Sequence, residues 1–363
     1  MRRLYSYKWT ILMATLVLFA WIVGFNSTTV AKQPEVPVDS AKQRIWPDNL
    51  YGVNFVSPKV GWISGYAGTV LKTEDAGLTW RQYYIGGNEI IRRINFVDEN
   101  TGWAVGHRGT IFASSDGGVT WTEQHREENT YLRDVDFSDT QNGWVVGHDG
   151  IILHTSNGGG SWEKQQLINY KGRDLPRLHG IEAVSASEAV LTGEFGVIAQ
   201  TQDGGQNWNL IPTQSKTTFL SVTTTTDSIL AVGVDGGMLR VDRVAGDDGS
   251  YSIHPIETNI KEHFFDVSSD TQGRVVAVGR SILVFVEGDT VRPVSLDEDI
   301  ALQFLWFAGV DITDDGTIWS AGIRGYVLTA AMDGSTVGSV ALQLGGSDTV
   351  TRVTSRWQKE TVL

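Results

Sequence analysis

Residues 61–80 read GWISGYAGTVLKTEDAGLTW, residues 102–121 read GWAVGHRGTIFASSDGGVTW, and residues 143–162 read GWVVGHDGIILHTSNGGGSW. Each copy follows a short apolar strand, VNF, INF or VDF, and the copies start 41 residues apart. A fourth ends at Trp208; it loses the Gly-Trp pair but keeps TQDGGQNW. Three more keep only the apolar pattern, in LAVGVDGGMLRV, VVAVGRSILVFV and IWSAGIRGYVLTAA. The glycines that close the second strand are Gly65, Gly106, Gly147, Gly193, Gly233, Gly279 and Gly322, in steps of 41, 41, 46, 40, 46 and 43. Such a period is that of propeller blades, so the chain is predicted to be an all-β, seven-bladed propeller with four-stranded antiparallel blades. Each blade must bury both faces against its neighbours. That requirement fixes blade size and the apolar rows and leaves the turns free to diverge.

Composition agrees. Forty-one glycines, thirteen tryptophans and eight prolines among 363 residues suit many tight hairpins between half-buried strands. Seven copies that close on one another are one domain, expected over residues 47–346, with a tail at 347–363. Ring closure stays open at this level. Val337 to Leu344 is one candidate for the last outer strand, and a segment near Lys42 to Trp46 is the other.

The amino end carries Arg2, Arg3 and Lys8, and then a sixteen-residue apolar run from Thr10 to Phe25. This length lies between a signal-peptide core and a spanning helix. Thr29-Val30-Ala31 offers small residues for cleavage before Lys32, so residues 1–31 are expected to be either a cleaved signal or a retained anchor. Either way the propeller is expected outside the cytoplasm, periplasmic or lumenal. Residues 32–46 form a polar spacer with Pro34 and Pro37. With no cysteine, the chain has no disulfide, thiolate metal site or lipidated cysteine. The net charge of −13 becomes −16 once the three cations of residues 1–31 are removed, which argues against nucleic acid as a partner.

The S/T-x-D-x-G-x-T-W endings carry Asp75 and Trp80, Asp116 and Trp121, Asn157 and Trp162, and Asp203 and Trp208. They resemble the Asp box (BNR repeat) of bacterial sialidases and other propellers. Turn capping explains every position: the short acceptor bonds the amides of its own turn, glycine supplies positive φ, and tryptophan packs beneath. An Asp-box glycosidase or glycan-binding propeller is the alternative. A sialidase-like site would need a tyrosine nucleophile with a carboxylate partner and an arginine cluster, and other hydrolases two opposed acids. Here Arg44-Ile45-Trp46-Pro47 departs from the sialidase arginine motif. Glu89, Glu127, Glu128, Glu182, Glu188 and Glu194 occupy unrelated blade positions. No catalytic residue is assigned, and no cofactor is expected.

Alternating strand direction puts the loops leading into the first strand of each blade on the same face as the turns between second and third strands. The Asp boxes lie on the other face. Aligning copies on Phe96, Phe137 and Ile181 places Arg92, Arg133 and Arg177 four residues earlier, around one mouth of the channel. The turns of that face bring Tyr66, His107, Arg108, His148, Asp149, Glu194, Phe195, Arg280 and Arg324. Arginine and aromatic groups concentrated on an acidic protein suit a protein-binding face, with Arg92, Arg133, Arg177, Tyr66, His107, Arg108, His148 and Phe195 as its candidates. His107 and His148 match by repeat position but lack a third ligand, so no metal site is assigned.

The export segment, the seven copies, the Gly-Trp second strand and the TxDGGxTW ending together resemble the photosystem II stability and assembly factor family of seven-bladed propellers. The resemblance covers about Leu50 to Leu344 and is strongest through Trp208. It implies a non-catalytic, lumenal or periplasmic, monomeric propeller that binds a membrane protein complex or its newly made subunit. In photosynthetic members that subunit is a photosystem II reaction-centre protein, bound through an arginine-rich patch for which Arg92, Arg133 and Arg177 are the counterparts. Cyanobacterial relatives usually carry a lipid-attachment cysteine after the signal, and this chain has none. A periplasmic scaffold of a transport system is a further alternative.

Overall fold

The computed structural model describes residues 48–86, 89–244, 250–294, 305–332, 337–344 and 350–355. The expected export segment and spacer, including Lys42 to Trp46, lie outside the described residues. The described chain is an all-β propeller of seven four-stranded antiparallel blades. The inner strands are Leu50–Phe55, Ile91–Phe96, Leu132–Phe137, Leu178–Ala183, Phe219–Thr224, Phe264–Ser269 and Phe307–Ile312, for blades 1 to 7 in order. Each pairs with a second strand that ends on the repeat glycine, Leu50 against Gly65 in blade 1 and Phe307 against Gly322 in blade 7.

Val337–Leu344 pairs with Val327–Ala331 and is the outer strand of blade 7. A further strand, Val350–Ser355, lies in the segment expected to be a tail. It pairs antiparallel with Val340–Leu344 on one side and with Thr79–Arg81 of blade 1 on the other. Blades 1 and 7 therefore share one nine-stranded sheet, whereas blades 2 to 6 are separate.

The Gly-Trp pair of one blade is joined to the Asp box of the next. Trp62 is fully buried, stacks on Phe96 of blade 2 at 3.7 Å between ring centroids, and donates from Nε1 to the Gly117 carbonyl at 2.9 Å. Trp103 repeats this on Phe137 and Gly158 of blade 3, at 3.5 Å and 3.2 Å. Trp144 reaches blade 4 through Gln165, whose Nε2 donates to the Gly204 carbonyl at 2.8 Å. Trp319 of blade 7 stacks on Phe55 at 4.9 Å and covers Gly77 of blade 1, so the ring closes by the same ring stacking, without the indole hydrogen bond.

The glycine of the pair has a packing reason. A Cβ on Gly102 would collide with the Phe96 ring, as would one on Gly61 with Phe55 and on Gly143 with Phe137. Blade 4 has Ala183 opposite Ala189 at these positions, so ring and glycine were exchanged together. Gly102→Ala is expected to lose about 1–3 kcal/mol through overpacking. Adding Phe96→Ala should relieve the collision, so that thermal melts show the double variant losing less than the two single losses combined. Strict additivity would mean that ring and glycine do not act as a pair.

One inner-strand position forms a belt around the channel: Asn54, Asn95, Asp136, Glu182, Thr223, Ser268 and Asp311. Most of these take a backbone N–H from the following blade. Asn54 accepts from Phe96 at 2.8 Å, Asn95 from Phe137 at 3.2 Å, Asp136 from Ala183 at 2.7 Å and Glu182 from Thr224 at 2.9 Å. Asp311 accepts from Phe55 at 2.7 Å and closes the circle. One level nearer the mouth, Arg93 of blade 2 donates to Asp134 at 2.9 Å and, across the channel, to both oxygens of Asp266 at 2.7 and 2.8 Å. The space below holds about 270 Å³.

Candidate functional site

The turns between second and third strands meet the loops that lead into the inner strands. His107 N donates to the Ile90 carbonyl, His148 N to Tyr131 and Glu194 N to Arg177, at 2.9–3.1 Å. The Asp boxes stand on the opposite face, and their acceptors are committed to their own turns. Asp75 accepts from the Thr79 amide at 2.8 Å and the Thr79 hydroxyl at 2.6 Å, and Asp116 and Asp203 make the equivalent pairs with Thr120 and Asn207. Asn157 stands in for aspartate and accepts from the Ser161 amide at 2.9 Å. Trp80 and Trp121 each donate from the indole to the carbonyl of their own turn's glycine, Gly77 and Gly118. Trp162 and Trp208 pack into the neighbouring interblade clusters.

The mouth is built at a bulge. Pairing of each inner strand slips between its first and third residues, which leaves one residue in a bulge at the entry to the strand. That residue is Tyr51 in blade 1, Arg92 in blade 2, Arg133 in blade 3, His179 in blade 4, Leu220 in blade 5, Phe265 in blade 6 and Ala308 in blade 7. Arg92, Arg133, His179, Leu220 and Phe265 line one pocket of about 200 Å³, floored by Arg93.

Arg177 does not occupy the Arg92 position. Phe96 and Phe137 pair with Gly102 and Gly143, and the residue so placed in blade 4 is Ala183, opposite Ala189, not Ile181. The alignment on Ile181 is two residues out. Arg177 precedes the strand, is largely exposed, and pairs with Glu194 at 3.4 Å. His179 takes the place expected for it. The signal was present in the sequence: Tyr51, Arg92, Arg133 and His179 each stand fourteen residues before the strand-ending glycine.

Arg92 and Arg133 have no carboxylate within ion-pair distance among the described residues. Arg92 lies over Tyr51 at 5.4 Å, and Tyr51 stacks on Trp306 at 6.0 Å. Arg133 Nε donates to His148 Nε2 at 3.1 Å, which requires a neutral acceptor nitrogen there. Tyr131, 49 % exposed, stands edge-on between His107 and His148 at 5.4 and 5.1 Å. Burial, then the charges of Arg93 and Arg133, push the Arg92 guanidinium down to about 10. Burial, then the charges of Arg92 and Arg133, push His107 down to about 4; burial, then Arg133 and its neighbours, push His179 down to about 3; and burial with Arg133 and Arg177 holds His148 below its ordinary value. The mouth thus takes its positive charge from arginine alone.

Tyr66 and Phe195 are exposed on this face, by 41 % and 63 %. Phe195 has φ 61°, a conformation that is costly for a bulky side chain. Arg108 is exposed, and its amide donates to Glu89 at 2.7 Å. Among the described residues no group of three acidic, histidine or cysteine side chains could hold a metal, and no helix is long and apolar enough to cross a membrane.

The profile of the family described as photosynthesis system II assembly factor YCF48 matches residues 79–339. The chain belongs to this family. No curated protein matches it by sequence. Solved structures share its fold at low identity. A YCF48 from Cyanidioschyzon merolae is 17 % identical with a TM-score of 0.64, covering 80 % of this chain and 98 % of its own. A YCF48 bound to a D1 peptide is 15 % identical with a TM-score of 0.61, covering 80 % and 94 %. An ancestral GH74 enzyme is 12 % identical with a TM-score of 0.61, covering 82 % of this chain and 47 % of its own. YCF48 family membership comes from the profile, and at these identities the structures add the fold.

Proposed function

We propose that this chain is a non-catalytic assembly factor that holds a segment of a photosystem II subunit, or of a closely similar membrane complex, on the mouth formed by Arg92, Arg133 and His179. The observation that carries this reading is a pair of partly buried arginines without carboxylate partners, on the face where Tyr66, Tyr131 and Phe195 are exposed, in a member of the YCF48 family. Guanidinium groups without a carboxylate partner in a partly closed site favour a carboxylate or main-chain carbonyls from a client, and the aromatics supply rigid apolar area beside them. The family's solved member bound to a D1 peptide supports the choice of client. The closed ring of blades presents this face with little reorganisation, which lowers the entropic cost of docking. The propeller acts outside the cytoplasm as a monomer, released from or held at the membrane by residues 1–31.

A synthetic D1 peptide titrated into the whole protein tests this reading. Arg92→Ser with Arg133→Ser is expected to weaken binding at least tenfold with an unchanged Tm, and binding to the unaltered protein should weaken as salt is raised. Undiminished binding by the double variant, or hydrolysis of a glycan by the unaltered protein, would overturn it.

A further inference from the structure

The outer strand of blade 7 changes partners along its length. Residues 337–340 pair with residues 327–330 of their own blade, and from Val340 onward the strand pairs with Val350–Ser355. That last strand pairs in turn, through Val350, Thr351 and Arg352, with Arg81, Trp80 and Thr79 of blade 1. The two strands form a hairpin across the seam between the ends of the ring. All other neighbouring blades are joined by continuous chain, and the sheets of blades 2 to 6 stay separate. The hairpin seals Trp80. This indole is fully buried in a cluster with Val340 and Leu342, whereas Trp121 and Trp162, at the same position in blades 2 and 3, are only partly buried. Trp208 of blade 4 is fully buried too, and it has its own extra cover, a main-chain bridge from Leu167.

The same seam is tied on its inner side without the hairpin. Asp311 accepts the Phe55 amide at 2.7 Å, Trp319 stacks on Phe55, Tyr51 stacks on Trp306, and the Arg324 amide donates to Asn49 at 3.1 Å. Against these, the hairpin adds a ladder of three residues to blade 1 and, among the described side chains, the burial of Val340 and Leu342. A short ladder with few buried apolar contacts is the mark of a segment that opens by itself, at less cost than global unfolding. We propose that the hairpin is a releasable clasp: pivoting at Val340, it lifts from blade 1 while the seven blades stay folded, and uncovers Trp80 and the strand edge at residues 79–81. With the clasp down, blade 1 ends in a paired strand. With it lifted, the blade presents unpaired main-chain N–H and C=O groups beside an indole, so the clasp governs whether this edge of the sheet is covered or open.

A chain without cysteine allows the clasp to be locked by a single engineered disulfide. Arg81 and Val350 are directly paired, so Arg81→Cys with Val350→Cys in the whole protein brings two thiols within bonding reach. Amide hydrogen exchange followed by mass spectrometry reads the result. In the unaltered protein and the reduced variant, residues 79–81, 341–344 and 350–355 are expected to exchange about tenfold or more faster than the inner strands of blades 1 and 7. Oxidation should slow these segments about tenfold or more, leave blades 2 to 6 unchanged, and be reversed by reductant. Thr351→Pro, which removes an amide from a strand paired on both sides, should instead speed exchange at residues 79–81 and spare blades 2 to 6. Should the cysteine variant not fold, Thr351→Pro carries the comparison. The proposal is overturned if the disulfide does not form in the folded protein, or if the locked protein exchanges as before. Global unfolding caused by Thr351→Pro also overturns it, because the blades would then need the hairpin to stay folded.

Discussion

Asp266→Ala is expected to lower the stability of the propeller by about 3–5 kcal/mol, the range for removing one partner of a buried ion pair. Asp266 accepts both Arg93 terminal nitrogens, the Ser221 hydroxyl at 2.7 Å and the Val310 amide at 2.9 Å. Its loss leaves a guanidinium half-paired inside the channel and removes the ties from blades 2, 5 and 7 to blade 6. Urea unfolding measures the effect. Replacing both members, with Arg93→Met and Asp266→Leu, removes the half-paired guanidinium but leaves Asp134 buried without its cation, so it should not recover the whole loss. A loss below about 1 kcal/mol for Asp266→Ala would mean that solvent in the channel replaces the carboxylate, and that the cross-channel pair does not hold the ring.

The belt should make stability depend on pH in the direction opposite to most acidic proteins. Burial pushes Glu182 up to about 7 and Asp311 up to about 6, and raises Asp136 well above the ordinary carboxylate range. Their acidic surroundings include Asp134 and Asp266, with Arg93 as the cation among the channel-lining residues. A carboxyl whose pKa is higher folded than unfolded contributes stability that is fully present below the unfolded value, near 4. That contribution is lost as pH rises through the folded value. For Glu182 the contribution is on the order of 3 kcal/mol, taking 1.36 kcal/mol per unit. His107 and His179, held neutral at the mouth, act the other way: they lose stability as pH falls below about 6.5. The informative quantity is therefore the difference between the unaltered protein and Glu182→Gln, whose amide oxygen can still accept the Thr224 amide. That difference should shift in favour of the unaltered protein as pH is lowered from 8 to 5, in unfolding experiments at fixed salt. A difference independent of pH would show that Glu182 is ionised throughout.

The blade count and the Asp-box turns were legible in the sequence because both rest on short-range relations. The Thr73–Asp75–Thr79 network closes within seven residues, and the glycine period follows from blade width, which each pair of neighbouring blades enforces again. The arginine mouth was legible only in part. Arg92 and Arg133 were found from the repeat, but blade 4 has lost its Phe and Gly-Trp landmarks, so apolar similarity at Ile181 shifted the alignment and hid His179. Nothing local indicated that Trp62 would bond Gly117, that Arg93 would meet Asp266 across 173 residues, or that Val350–Ser355 would pair with Thr79–Arg81. The sequence by itself determined the repeating unit and its turns, since each is stabilised by its own hydrogen bonds. Which residues face one another across the channel, at the mouth and at the closing seam was decided by the tertiary structure, since those partners meet only once seven blades have closed into a ring.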